Sequence, residues 1–171
     1  MFFLRVFIIS IFLITTSFSN ENQLIKFVSL DFIIKNSIIG KKLSKENNEK
    51  RNSIIKKNKN QESKLEKQKN DILSKQNVLE KKEFEAKVVS HQKQVKEYQE
   101  KRNNEIKALN EKNIKLLKKL KAKIDKILVD YASENKIDMI LKKEDIIVSN
   151  SNYDVTEDIL AIIDKEIKKI E

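Results

Sequence analysis

"IDMILKKEDIIVSNSNYDVTEDILAIIDK", residues Ile137 to Lys165, decides the fold of this 171-residue chain. It holds two rhythms. In "KIDMILK" the residues Ile137, Met139 and Leu141 fall on one face, with Asp138, Ile140 and Lys142 on the other, the period of two that marks a strand. "DIIVSN" repeats that rhythm after "KKED", which reads as a four-residue hairpin loop. "VTEDILAIIDKEIKKI" then shifts to a helical period, with Ile159, Ile163, Ile167 and Ile170 in line. Thr156 is placed to N-cap that helix, and Glu157 and Asp158 suit the positive end of its dipole.

The complement of this fragment lies at the other end of the chain. "IKFVSLDF", Ile25 to Phe32, is rich in β-branched and aromatic residues and reads as a strand. "DFIIKNSIIG" follows as a short helix whose Gly40 suits the position just past a helix C-terminus. Three strands therefore flank the long middle of the chain. Pairing the first with the last two requires that middle to leave and return.

From Lys41 to about Glu134 there is no alternation and no internal glycine. Apolar residues recur at helical steps in the second half: Ile106, Leu109, Leu116, Leu120, Ile124, Ile127 and Tyr131. The first half is thinner, with Leu43, Ile54, Leu65, Ile72 and Leu79 on a drifting face. A single rod of 94 residues would run some 140 Å. A helical hairpin is the arrangement that returns the chain, and "SKQNVL", Ser74 to Leu79, holds the weakest helix formers at its expected tip.

Composition agrees. The chain has one glycine, no proline and no cysteine, and 36% of its residues are charged. A turn-rich β fold would need Gly or Pro, and a disulfide framework or thiolate nucleophile would need Cys. The expected fold class is α+β: a small β-strand head for oligomerisation, residues 20–40 plus 135–171, bearing a long protruding α-helical coiled-coil hairpin, residues 41–134. Such a head is small enough to be marginal alone, and oligomerisation is a usual remedy. Large apolar residues occupy both faces of its strands, so one face is expected to meet another subunit. The candidate head and interface residues are Phe27, Val28, Leu30, Met139, Ile140, Leu141, Ile147 and Val148.

The N-terminus, "MFFLRVFIISIFLITTSFSNEN", has one cation, Arg5, then an apolar run from Val6 to Ile14, then Ser17 and Ser19 at small-x-small spacing. This is the plan of a secretory signal, with cleavage predicted after Ser19 and the mature chain exported. The alternative, an uncleaved anchor, has fewer apolar residues than the roughly 20 a spanning helix needs.

The order of elements resembles the Skp/OmpH family of periplasmic chaperones. The likeness rests on "IKFVSLDFIIKNSIIGKK" and on "YASENKIDMILKKEDIIVSNSNYDVTEDIL", where "DVTEDIL" is similar to the family's Asp-x-Thr opening of its last helix. The resemblance implies a jellyfish-like homotrimer, with a trimeric body and three hairpin tentacles. Unfolded outer-membrane proteins would be held between the tentacles without ATP. It implies an ATP-independent holdase with no cofactor and no metal. The runner-up functions are a structural coiled-coil spacer and a signal-anchored tether of the cell envelope.

Charge points the same way. Residues 41–134 hold 27 Lys/Arg and 15 Asp/Glu, a net of +12, whereas the rest of the chain nets −2. The positive field lies wholly on the hairpin, where it would steer acidic clients and attract anionic lipid head groups. The client-contacting candidates are diffuse: Lys81, Lys82, Phe84, Lys87, Lys93, Lys96 and Arg102. Specific nucleic-acid binding is not expected, because acids and bases alternate and no recognition motif is present. His91 is a lone histidine without a partner for a zinc site and reads as a solvated helix residue. "SNSNYDVTED" lacks the glycine and terminal Glu of a calcium loop, and no glycine-rich phosphate loop exists. The chain does not read as an enzyme.

Overall fold

A computed structural model describes residues 23–170. The predicted signal segment, residues 1–19, lies outside them. The elements run β1 (Ile25–Val28), α1 (Leu30–Asn36), α2 (Ile38–Ser74), α3 (Lys81–Glu134), β2 (Met139–Lys142) and α4 (Thr156–Glu166). Two short 3-10 turns, Lys143–Asp145 and Ser151–Tyr153, link β2 to α4. The α+β fold is a two-stranded sheet with α1 and α4 at the base of a long antiparallel pair, α2 and α3. At 1.5 Å per residue the 54 residues of α3 reach about 80 Å. The chain reverses between Lys75 and Glu80, where Val78 N and Leu79 N both donate to the Lys75 carbonyl at 3.0 Å.

The sheet corrects the three-strand reading. β1 and β2 pair in parallel, with Ile25 opposite Met139 and Phe27 opposite Leu141. "DIIVSN" forms no ladder: Ile146 has extended backbone angles, but no strand lies beside it among the described residues. "KKED" does not close a hairpin on β2: Lys142 ends the strand and Lys143–Asp145 form a 3-10 turn tied to Ser29 and Asp154. On its far side β1 bridges Phe27 to Asp154, with Val155 N donating to the Phe27 carbonyl at 3.0 Å.

The first strand is also shorter than its composition suggests. Ser29 turns the chain into α1, its hydroxyl accepting from Phe32 N at 3.3 Å, so Leu30 to Phe32 are helical. Gly40 does not close that helix. Ser37, fully buried, ends α1 and caps α2, and its Oγ accepts from Gly40 N at 3.1 Å. Gly40 sits in the first turn of α2, where a Cβ would collide with the Ile34 carbonyl and lie 2.8 Å from its carbon. Close backbone approach, rather than a positive φ, requires glycine there.

Thr156 likewise has another role than the one expected. It is the first residue of α4, and Asp154 Oδ1 accepts from its N–H at 2.9 Å. Its own Oγ1 accepts from Ser29 N at 2.9 Å, which ties α4 to the end of β1.

One core joins all of this. Val28, Ile33, Ile39, Leu43, Leu120, Ile124, Ile127, Val155, Ile159, Ile163 and Ile167 form a continuous buried cluster. The aligned isoleucines of α4 meet the lower part of the α3 stripe, so the root of the hairpin belongs to the head's core. At the exit of α3, Lys136 takes a left-handed conformation, φ 54°. Ile137 N donates to the Ala132 carbonyl at 2.9 Å and Lys136 N to Ser133 at 3.4 Å, the paired bonds of a Schellman end. That turn aims the chain into β2 beside β1.

Candidate functional site

Two surfaces stand out: the outer edge of β2, unpaired among the described residues, and the hairpin. Residues opposite each other in a parallel pair share a face. Val28 and Ile140 point into the core, whereas Ile25, Met139 and Leu141 share the other face and remain exposed. Beyond β2, Ile147 is 100% and Val148 88% exposed. Of the head residues singled out by sequence, Val28 is buried in the core, and Phe27, although on the face of Leu141, is buried as well, with Lys143 near its ring. Leu30 and Ile140 pack against the cluster. Met139 and Leu141 on β2, and Ile147 and Val148 in the loop after it, are exposed, and the outer edge of β2 is unpaired among the described residues. Exposed apolar residues taken singly are ordinary on a folded chain, whereas an unpaired strand edge offers free backbone N–H and C=O groups.

The loop that carries Ile147 and Val148 is latched at both ends. Lys143 Nζ meets Asp154 Oδ2 at 2.7 Å and stands 5.8 Å from the centroid of the Phe27 ring. Ser29 Oγ donates to Glu144 Oε1 at 2.7 Å. That hydrogen bond holds the Glu144 carboxyl below its ordinary pKa. Burial pushes Asp154 up, but hydrogen bonds from Lys143 and Thr156 outweigh it and leave its pKa lowered. Lys26 adds a bond to the Asn152 carbonyl at 2.9 Å and stands 5.6 Å from the Tyr153 ring.

The hairpin is held by an interrupted seam. Leu43 and Leu65 of α2 are buried, and Leu109, Leu116, Val95, Val88 and Phe84 of α3 are partly so. Midway, the contacts turn polar. Tyr98 donates to Glu62 Oε1 at 2.7 Å, Arg102 pairs with Glu62 at 3.4 Å, and Lys57 pairs with Glu105 at 2.5 Å. Partial burial and the Glu62 carboxylate raise the Tyr98 phenol above its ordinary pKa. Asn58, 8% exposed, takes a position in α2 where an apolar residue would continue the seam. Sequence periodicity missed this belt, because Lys57, Glu62, Arg102 and Glu105 fall off the apolar stripe and their pairing crosses two helices. The +12 of residues 41–134 was the one signal that polar side chains outnumber apolar ones here.

The candidate client contacts all lie on α3. Lys81, Lys82, Lys87, Lys93, Lys96 and Arg102 are exposed; Lys87 and Lys93 stand 3.6 and 3.9 Å from Glu83 and Glu97. Exposed pairs of this kind are worth about 0–1 kcal/mol, so they leave the cations available. Phe84 is half-buried in the seam. His91 differs from its expected solvated state: it is half-buried toward α2, and its Nδ1 is buried with no hydrogen-bond partner. Among the described residues no His/Cys/Asp/Glu group could hold a metal ion, and no helix is long and apolar enough to cross a membrane.

A sequence model of the family described as outer membrane protein (OmpH-like) matches residues 25–163. No curated protein matches the chain by sequence. Among solved structures it is similar to a crystal structure from Caulobacter crescentus CB15 described as an outer membrane chaperone (OmpH-like). The two share a TM-score of 0.81 at 15% identity, over 87% of this chain and 88% of that one. At that identity the likeness is one of fold.

Proposed function

The chain belongs to the OmpH-like family, and from that membership we propose that it is an ATP-independent periplasmic holdase for unfolded outer-membrane proteins. In this reading three chains join through the free edge of β2 and the apolar group Met139, Leu141, Ile147 and Val148. Three hairpins then enclose a space in which a client is gathered by charge and retained by many weak contacts. Binding the unfolded chain lowers its free concentration, and with it aggregation, by mass action. No bond is made or broken.

The observation that carries the reading is the coexistence on one hairpin of a +12 net charge and exposed apolar side chains. Ile55, Leu73, Val78, Val89, Ile114 and Val129 are each at least half exposed along it. Charge alone would suit solvation, and a seam alone would suit a coiled coil. Favouring the holdase over a coiled-coil spacer is the interrupted seam, since a spacer needs apolar contacts along its whole length. The tether alternative falls on residues outside those described. Anionic lipid head groups would meet the same positive field, most strongly at low salt.

The test is light scattering from a urea-denatured β-barrel outer-membrane protein diluted into buffer. With this chain in threefold excess the client stays soluble without nucleotide, and the protection weakens between 50 and about 300 mM salt as charges are screened. Equal aggregation with and without the chain at low salt refutes the proposal.

A further inference from the structure

The two flanks of the hairpin differ at the level of the polar belt. On one flank Tyr98, Glu97, Lys101 and Glu105 surround a cleft of mixed polarity, about 300 Å³. On the other lies a groove of about 440 Å³. Its floor is Ile54, Ile55, Ile106 and Leu109, and its rim carries Arg51, Lys59 and Arg102. Ile55 is 57% exposed and Ile106 36%. Glu62 is the one carboxylate on this rim, and Tyr98 and Arg102 already engage it. Asn58, nearly buried, lies between the flanks and lines both.

The cause is local packing. At Asn58 a short amide replaces the bulk an apolar seam residue would supply, and Tyr98 turns its hydroxyl to Glu62. The gap between the helices is left unfilled on the side of Ile55. Its volume is within the range of about 300–1,000 Å³ that binding pockets span, with an apolar base and a few convergent polar groups.

We propose that this groove is a discrete docking point for an extended polypeptide segment that places an aliphatic or aromatic side chain against Ile55 and Ile106 and a neighbouring carboxylate against Arg51, Lys59 and Arg102. The Asn58 amide, with both donor and acceptor, faces the segment's backbone. In an extended chain successive side chains point to opposite sides, so residues two apart reach the same groove. The occupant is therefore a strand-like segment with an acidic residue two positions from a large apolar one. The inference rests on the holdase reading and narrows it, since a diffuse surface would show no preferred point and no preferred sign of charge.

The test uses the full chain and two fluorescent twelve-residue peptides, one of alternating Phe, Ser and Asp, the other with Lys in place of Asp. The Asp peptide binds, the Lys peptide binds at least tenfold more weakly, and Ile55→Glu weakens the Asp peptide at least tenfold. Lys59→Glu, a change on the exposed rim, narrows the gap between the two peptides. A benzoylphenylalanine at position 55 cross-links the bound outer-membrane client more heavily than one at Val129, which is also exposed. The groove is refuted if the Asp peptide fails to bind, if Ile55→Glu leaves its affinity unchanged while helicity is intact, or if positions 55 and 129 cross-link equally. Loss of assembly mass in Ile55→Glu without a change in peptide affinity would assign the groove to a second copy and likewise overturn it. Client solubility, measured in parallel on the unmutated chain, separates the readings: failure there refutes the holdase, whereas success with an unselective position 55 refutes only the groove.

Discussion

Replacing Ile147 by Ala distinguishes a surface residue from an interface residue. Within one chain Ile147 is 100% exposed, so truncation removes no intrachain contact, and the fold of an isolated subunit loses nothing. If the free edge of β2 is where subunits join, the same truncation removes three buried carbons per subunit. At about 0.8 kcal/mol each that is about 2.4 kcal/mol, or about 7 kcal/mol for three subunits. Since 1.4 kcal/mol is about a factor of ten, the trimer dissociation constant rises by about five decades. The assay is molar mass by light scattering across a dilution series from about 100 µM to 10 nM, with circular dichroism at each concentration. The expected outcome is dissociation of Ile147→Ala at concentrations where the unmutated chain remains assembled, with helix retained. Superimposable dilution curves would refute the placement of this residue at a subunit contact. Leu120→Ala is the contrasting control, because Leu120 is fully buried in the intrachain core. There the loss is about 2–5 kcal/mol of folding stability.

Three further outcomes follow from local geometry. Gly40→Ala lowers stability by about 1–3 kcal/mol through the collision with the Ile34 carbonyl, where helix propensity alone would raise it by about 1 kcal/mol; urea denaturation gives the sign. Lys136→Gly relieves a left-handed backbone, φ 54°, and raises stability by about 1 kcal/mol in the same assay. Glu144 and Asp154 have pKa values lowered in the folded chain. Their contribution is therefore present above the unfolded carboxylate values of about 4 and is lost as pH falls through the lower folded ones. Asp154→Asn removes part of that acid-side slope in a pH series of thermal midpoints, and a slope identical to the unmutated chain's would contradict the latch.

Much of this fold was legible in sequence because its signals are periodic. The steps from Leu116 through Leu120, Ile124 and Ile127 to Tyr131 name the face of α3 that meets the core. The row Ile159, Ile163 and Ile167 names the buried face of α4. The need to bring Ile25–Val28 beside Met139–Lys142 implies the hairpin. What escaped were features set by partners far away in sequence. "DIIVSN" has the composition of a strand, but the turn that leads into it, Lys143–Asp145, is tied to Ser29 and Asp154 rather than closing a hairpin on β2. The break at Ser37 has only a serine cap as its local sign, and Asp164 of α4 also holds it by accepting from Ile38 N at 2.7 Å. Thr156 reads as a helix cap by type and position, whereas its hydroxyl serves Ser29. At the candidate sites the sequence located the charge and the exposed apolar residues of the head. It did not separate Phe27 and Val28, which are interior, from Met139 and Ile147, which are not. Phe27 and Met139 share a face of the sheet, and alternation does not say how far along that face the chain covers it. The groove at Ile55 was invisible for a related reason: it depends on Asn58 and Tyr98 meeting across two helices.

The most direct measurement is the molar mass of the chain lacking residues 1–19, by light scattering, alone and after addition of a urea-diluted β-barrel outer-membrane protein. A threefold mass that rises by one client, stays soluble without nucleotide and releases the client at high salt is the predicted result. A monomer or an open-ended rod beside an aggregated client would contradict the account.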